Sequence, residues 1–169
     1  MPDFARTARK IARDCPTIRA RQASRVLTRV YDEVLRPLGL QMSQFSVLVQ
    51  IAASGEAGAT ITALAAELVM DRTTLTRNLR PLERAGMLRV AQAPGDARAR
   101  VVLLTHKGER IIETAHPYWE SAFRRVRVVL GVRQLQALRS ELAALLEAAP
   151  GFDEHEPSSG RSLKATPRR

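Results

Sequence analysis

Residues 70–88, MDRTTLTRNLRPLERAGML, constrain the fold of this chain more strongly than any other segment. Leu75, Leu79 and Leu82 recur at intervals of three or four residues, so at about 100° per residue they lie on one side of a helix. Asp71 stands just before this pattern, where a helix N-cap is expected, and Gly86 stands just after the pattern, where a helix end is expected. The segment therefore predicts an amphipathic helix whose apolar stripe faces a core.

The other side of this predicted helix is polar and basic. Such a face suits DNA, because in the major groove Thr contacts the thymine methyl group and Arg binds guanine O6 and N7. Arg77 is the predicted base reader, whereas Arg80 and Arg84 are expected to contact the phosphate backbone. The alternative is an ordinary solvated helix face. The predicted DNA-contacting residues of the helix are Arg72, Thr73, Thr74, Thr76, Arg77, Arg80 and Arg84.

The neighbouring segments predict a DNA-reading context for this helix. A short apolar helix capped at Thr62 precedes it, which makes a helix-turn-helix. Two β-prone runs, residues 87–93 and 100–104, follow it and are separated by the turn formers Pro94 and Gly95. The sequence therefore predicts a winged helix-turn-helix, a mainly α fold with a small β-hairpin wing (α+β).

The wing supplies a second predicted DNA contact. Arg98 lies at the expected hairpin tip and Arg100 just after it, where an arginine suits the adjacent, electronegative minor groove. Asp96 is placed to orient Arg98 through a salt bridge, so all three residues belong to the predicted interface.

Apolar rows on the flanking segments predict helices outside this lobe. One helix is expected within residues 21–38, a second begins at Ser43, and a long helix capped by Thr105 precedes a last helix that ends at Pro150. The rows on the last two helices exceed what one small lobe covers, which favours a homodimer. The alternative is that they pack only on each other.

Composition narrows the class of partner. Lys and Arg number 27 against 17 Asp and Glu, for a net charge of +10, which favours a polyanion such as nucleic acid. Three histidines and one cysteine show no metal-ligand spacing, and no catalytic constellation or phosphate loop is present, so we expect no metal, no cofactor and no enzyme. No apolar run is long enough to span a bilayer, so we expect no membrane partner and a cytoplasmic location.

The chain resembles the MarR family of bacterial transcription regulators. The resemblance rests on LAAELVMDRTTLTRNLRPLERAGML and on the wing pattern formed by Asp96, Arg98, Leu104, Thr105 and Gly108. It implies a homodimer whose two recognition helices contact successive major grooves of a near-palindromic double-stranded operator, and a repressor is the expected class.

The resemblance also implies a domain organisation. Residues 15–149 form the MarR-like domain, with dimerisation helices in 15–40 and 105–149 and the winged lobe in 43–104. Residues 1–14 are expected to be a flexible arm. Residues 150–169 are expected to be a disordered tail, because they are too polar to bury a core.

Members of the family usually respond to small aromatic or phenolic compounds, or to oxidants. Candidate pocket residues here are Arg19, Tyr31, Phe45, His116, Trp119 and Phe123, although plain core packing is an alternative for each aromatic. Cys15 is the alternative sensor, because the expected N-cap position and Arg19 one turn later favour a thiolate. A winged helix used for protein or RNA contact, without duplex readout, is the alternative from another class.

Overall fold

Both the predicted helix-turn-helix and the strands of the wing are present in the computed structural model of the chain, which describes residues 3–93 and 96–149 and only the backbone of 96–98. The described residues form seven α-helices and three strands, so the mainly α fold with a small sheet is confirmed. In chain order they are α1 (Phe4–Asp14), α2 (Pro16–Leu35), α3 (Met42–Ala53), β1 (Ala59–Thr60), α4 (Ile61–Glu67), α5 (Arg72–Arg84), β2 (Leu88–Ala93), β3 (Asp96–Leu104), α6 (His106–Leu130) and α7 (Val132–Glu147), with a 3-10 turn at Arg36–Leu38.

The core of the winged lobe joins three helices to the sheet. Leu48 of α3, Leu64 of α4 and Leu75 of α5 are fully buried together with Val102 of β3. Each buried aliphatic side chain contributes about 1.5–3 kcal/mol relative to an exposed one. This cluster holds α5 by its leucine stripe and thereby determines which face of α5 remains outside.

The first turn of α3 differs from the sequence prediction. Gln41, rather than Ser43, is the N-cap, and α3 begins at Met42. Gln41 and Gln44 form a reciprocal capping box, in which Gln44 Oε1 accepts the Gln41 N–H at 3.1 Å. Asp32 of α2 accepts the Met42 N–H at 2.6 Å, so a side chain from the preceding helix also satisfies an N–H of this turn.

A third strand, β1, was missed because two residues are too few for a periodic pattern. It pairs antiparallel with β3, and the sheet order is β1-β3-β2. Gly58 precedes it with φ +69°, and a Cβ there would lie 2.4 Å from the Val102 carbonyl oxygen, so only glycine fits. Thr60, rather than Thr62, then caps α4 by accepting the Ala63 N–H at 3.1 Å. Thr62 lies inside the helix.

The N-terminal segment is also more regular than the sequence reasoning expected. Residues 1–14 were expected to be a flexible arm, whereas Phe4–Asp14 form α1, capped by Asp3 Oδ1, which accepts the Arg6 N–H at 3.0 Å. No residue of α1 is buried. The cap, together with good helix formers such as Ala, Arg and Lys, accounts for the helix without core packing.

Contacts divide the chain into two units, Met1–Arg125 and Val126–Arg169. Within the first unit, Thr105 caps α6 as predicted by accepting the Gly108 N–H at 3.2 Å. The second unit contains the end of α6 and all of α7, where Leu135 is buried but Leu142 and Leu145 are exposed. The expected tail, residues 150–169, lies outside the described residues. Within the described residues, no helix combines the length and apolarity needed to cross a bilayer.

Candidate nucleic-acid interface

Helix α5 has two distinct faces. Leu75, Leu79 and Leu82 are buried in the core. The ridge of polar residues predicted on the opposite face is exposed at Thr73, Arg77, Arg80 and Arg84, and Thr76 at its flank is half-buried. The structure therefore leaves this ridge open to a partner, while its contact with DNA stays a prediction.

The start of α5 is fixed by Asp71, as predicted. Asp71 Oδ1 accepts the Thr74 N–H at 2.8 Å, and Oδ2 accepts the Thr74 hydroxyl at 2.6 Å. These bonds to Thr74 hold the pKa of the Asp71 carboxyl below its usual range. The cap thus orders the first turn of the helix, although its negative charge opposes a phosphate at the same end.

The threonines of this helix are not equivalent hydrogen-bond donors. Thr74 donates its hydroxyl to Asp71, and Thr76 donates its hydroxyl to the Arg72 carbonyl oxygen at 2.7 Å. Both hydroxyl protons are used within α5, and the methyl groups remain for apolar contact. Thr73, by contrast, has no side-chain hydrogen bond within the part of the chain that the structure describes. It is therefore the threonine best able to donate to a base or phosphate.

The arginines of this face are not neutralised by nearby acids. Arg72, Arg77, Arg80 and Arg84 form no ion pair with any side chain in 3–93 or 99–149. Five residues of the ridge and the first turn line an open cleft of about 330 Å³: Arg72, Thr73, Thr76, Arg77 and Arg80. Guanidinium groups only donate hydrogen bonds, so the cleft is suited to an anion or to base acceptors.

The end of α5 is closed by a Schellman motif. Gly86 follows the C-cap Ala85 with φ +69°, a conformation that glycine adopts without strain. The Gly86 N–H donates to the Glu83 carbonyl at 2.8 Å, and the Met87 N–H donates to the Leu82 carbonyl at 2.9 Å. These bonds leave the carbonyls of Ala85 and Gly86 without a partner from the helix itself.

Two side chains at the start of α6 bind these open carbonyls. Lys107 Nζ donates to the Ala85 oxygen at 2.7 Å, and Thr105 Oγ1 donates to the Gly86 oxygen at 2.6 Å. Sequence reasoning did not select Lys107, because the contact spans 22 residues and no local pattern encodes it.

The wing is formed by β2 and β3. Their antiparallel register runs from Leu88↔Leu104 to Ala93↔Asp96, with an irregularity between Gln92 and Ala93. Arg100 of β3 and Arg89 of β2 are exposed, and Arg89 was not selected from the sequence. The side chains of Asp96 and Arg98, and the predicted turn at Pro94 and Gly95, lie outside the described part, so their roles stay predictions.

Three of the candidate effector-binding rings lie together on α6. The rings of His116 and Trp119 stack with centroids 6.2 Å apart, and those of Trp119 and Phe123 stack at 5.3 Å. Trp119 also packs against the core, and Phe45, at 5% exposure, is a core residue, which supports the core alternative for Phe45.

The remaining two pocket candidates lie on α2. Tyr31 is half-buried, and burial raises the pKa of its phenol. Exposed Arg19 donates to Gln22 Oε1 at 3.3 Å. Four clefts on the described surface have none of the six candidates in their linings, and one of these clefts, about 440 Å³, lies against Ile51, Arg89 and Leu104.

Cys15 occupies the predicted N-cap of α2, with Pro16 at the first helical position. It is half-buried, and its side chain makes no capping hydrogen bond. The neighbouring Asp14 is bound by Arg13, with Nε–Oδ1 at 2.7 Å, and this guanidinium lowers the pKa of Asp14. Among the described residues, no group of three or more His, Cys, Asp and Glu side chains could hold a metal ion.

The α4–α5 pair, the exposed basic face of α5 and the adjoining hairpin define a winged helix-turn-helix DNA-binding protein. A model of the MarR family matches residues 38–99. The chain is also similar to the transcriptional regulator MosR from M. tuberculosis, solved in complex with DNA, with 36% identity and a TM-score of 0.72 over 82% of this chain and 98% of that chain. The protein therefore belongs to the MarR family and is a DNA-binding transcriptional regulator, not an enzyme.

Two further comparisons extend this result. A mutant of MarR from E. coli, solved with operator DNA, is 27% identical, with a TM-score of 0.72 over 80% of this chain and 97% of that chain. MepR from S. aureus, at 20% identity and a TM-score of 0.68 over 79% of this chain and 97% of that chain, shares the fold. A comparison with curated proteins found no significant match.

Proposed function

We propose that the protein is a homodimeric, cytoplasmic repressor that binds a near-palindromic operator through α5 and is released by a small aromatic or phenolic compound. One observation carries the DNA contact: the face of α5 opposite the core is exposed and its arginines have no acidic partner among the described side chains. Such a face attracts a polyanion and offers donors to the acceptors on base edges.

In this proposal each part of the interface has its own task. The first turn of α5 enters the major groove, where Arg77 binds a guanine and Thr73 donates to a base or phosphate. Arg80 and Arg84 bind the phosphate backbone. Arg98 and Arg100 of the wing contact the neighbouring minor groove. Arg89, exposed on β2, is a further candidate for a backbone contact.

Exposed apolar side chains support the homodimer. Val128 and Val129, near the end of α6, are 82% and 83% exposed, and Leu142 and Leu145 of α7 are 44% and 50% exposed. A monomer rarely leaves clustered aliphatic side chains exposed to water. We therefore expect a second copy, related by a two-fold axis, to bury these side chains. Two copies would present two α5 helices to successive major grooves, which gives the operator its near-palindromic form.

The stacked rings of His116, Trp119 and Phe123 support an aromatic effector, because a further ring can extend an offset stack. The alternative, redox sensing at Cys15, has less support: Arg19, the cation expected to favour the thiolate, donates to Gln22 instead. The other alternative is a winged helix that contacts RNA or protein without reading a duplex, and the binding experiment below distinguishes it from the proposed repressor.

The test begins by selecting bound duplexes from sheared genomic DNA with the full-length protein, followed by fluorescence anisotropy. We expect dissociation constants on the order of nanomolar at physiological salt, rising steeply as salt is added. Arg77→Ala should reduce discrimination at one base pair per half-site by about 1–3 kcal/mol. Arg98→Ala, which removes a minor-groove contact, should weaken binding more evenly across duplexes, because the minor groove presents a degenerate pattern of base acceptors.

Arg9→Ala on α1 is the matched control, because it removes one exposed arginine from a helix with no proposed role in DNA binding or dimerisation. If Arg77→Ala and Arg98→Ala bind like this control, the docking arrangement is wrong. Failure to enrich any duplex, or tighter binding to RNA, would contradict the proposal itself.

A further inference from the structure

The C-terminal end of the recognition helix is bound by the first turn of α6. Lys107 Nζ lies 2.7 Å from the Ala85 oxygen and Thr105 Oγ1 lies 2.6 Å from the Gly86 oxygen. The Thr105 N–H donates to the Met87 oxygen at 3.1 Å. Three successive carbonyls after α5 are therefore satisfied by two residues of a distant segment, and we call this set of contacts the α5–α6 latch.

The latch permits little movement between the two elements. Thr105 Oγ1 accepts the Gly108 N–H at 3.2 Å while it donates to Gly86, so one hydroxyl joins the cap of α6 to the end of α5. A Cβ at Gly108 would lie 2.0 Å from the Met87 oxygen, which means that the backbones approach as closely as glycine allows. A shift of this turn of α6 relative to the end of α5 would break these contacts.

Electrostatics add to this geometry. The last carbonyls of a helix carry partial negative charge, so the ammonium group of Lys107 is stabilised at the end of α5. Lys107 is exposed and forms no ion pair with another described side chain. Its ammonium group donates to the C-cap residue of α5 rather than to an acid, so the side chain is held where it can orient α5.

We propose that Lys107 and Thr105 are positioning residues for DNA recognition, which set the tilt of α5 from the first turn of α6. This inference rests on the proposed docking of α5 in the major groove. Base readout requires side chains held within about 0.5 Å, whereas phosphate contacts by long arginines tolerate a small tilt. Loss of the latch therefore reduces sequence discrimination more than total affinity.

The test uses the full-length protein and two duplexes: one selected by the wild-type protein from a randomised library and one of permuted sequence. Lys107→Met retains the length and the apolar stem but removes the donor. We expect the ratio of the affinity for the selected duplex to that for the permuted duplex to fall roughly tenfold. The salt slope for the permuted duplex should not change. Lys107→Arg, which can donate to the same carbonyl, should restore most of the ratio.

Lys10→Met is the matched control, because it removes a lysine from α1, which has no proposed DNA role. A second pair tests the hydroxyl: Thr105→Ala should lower the ratio, and Thr105→Ser should preserve it. Thermal unfolding of each variant separates a change of tilt from a loss of fold.

Two results would overturn the inference. If Lys107→Met weakens both duplexes equally and reduces the salt slope by about 0.9, Lys107 is a phosphate contact. If the ratio is unchanged in both Lys107→Met and Thr105→Ala, the latch has no part in recognition. Failure of the wild-type protein to select any duplex would instead refute the proposed function, so the two failures are distinguishable.

Discussion

The carboxylate of Asp71 shows how one residue sets the geometry of a recognition surface. It binds the backbone N–H and the hydroxyl of Thr74, and thereby fixes where α5 begins and which residues form the first turn. These are the residues expected to enter the major groove. The same bonds favour the ionised carboxyl, so the contribution of the cap to stability depends on pH.

We expect acid to weaken this cap. The pKa of Asp71 is lower in the folded protein than the unfolded value of about 3.9, so its stabilisation is present above that value and is lost as pH falls through the folded pKa. Asp71→Ala should lower the urea midpoint at pH 7. Asp71→Asn, which caps helices equally well, should preserve it and remove this part of the acid dependence. Equal midpoints for Asp71→Ala and wild type at pH 7 would contradict this role.

The turn between α4 and α5 contains an unusual backbone conformation. Val69 has φ +49°, and it is the one non-glycine residue with positive φ in the described chain. It follows the C-cap of α4, where glycine or asparagine is usual, and its N–H donates to the Ala66 oxygen at 3.0 Å. A β-branched residue in this region is strained. The turn thus retains strain beside the recognition helix.

Relief of this strain should stabilise the winged lobe. We expect Val69→Asn to raise the free energy of unfolding by about 1 kcal/mol, because asparagine tolerates the left-handed region that valine resists. Val69→Thr is the matched control, since threonine retains the branched Cβ and should show no such gain. Chemical denaturation of both variants measures the difference. If Val69→Thr and Val69→Asn raised the free energy of unfolding equally, a polar group at position 69 rather than backbone strain would account for the gain, and no gain in Val69→Asn would contradict the strain itself.

At the scale of the molecule, the proposed DNA contacts and a group of exposed aliphatic side chains lie on different elements. The arginines of the α5 ridge have no acidic partner among the described side chains, whereas Val128 and Val129 near the end of α6 and Leu142 and Leu145 of α7 are exposed. In the proposed repressor the first surface meets DNA and the second meets another copy. This division explains why one chain of 169 residues contains more amphipathic helix than a single winged lobe requires.

We expect sedimentation equilibrium to find a dimer that depends on the leucine row of α7. The double variant Leu142→Lys, Leu145→Lys should shift the protein toward monomer, because each buried leucine contributes about 1.5–3 kcal/mol that a charge removes. Gln136→Lys, Ser140→Lys is the matched control: it adds the same charge to the same helix, about 120–160° from Leu142. A monomeric wild type, or equal dissociation of both variants, would contradict this arrangement.

Periodicity along the chain was sufficient to predict the central elements. The leucine stripe of α5, its Asp71 cap, the Thr105 cap of α6 and the strands of the wing are confirmed, because each depends on residues close together in sequence. The exposed position of the polar ridge follows from the same stripe. The shorter elements were harder to predict: β1 has two residues, and the starts of α3 and α4 depend on caps that neighbouring residues could also supply.

Contacts between distant segments required the folded chain. Lys107 meets Ala85 across 22 residues, Gly58 is required because Val102 passes beside it, and Phe45 packs in the core. Local hydrophobic pattern selects helices and strands because it depends on backbone geometry alone. Which carbonyl a lysine binds, or which ring is buried, depends on how those elements pack, and that is a property of the tertiary structure.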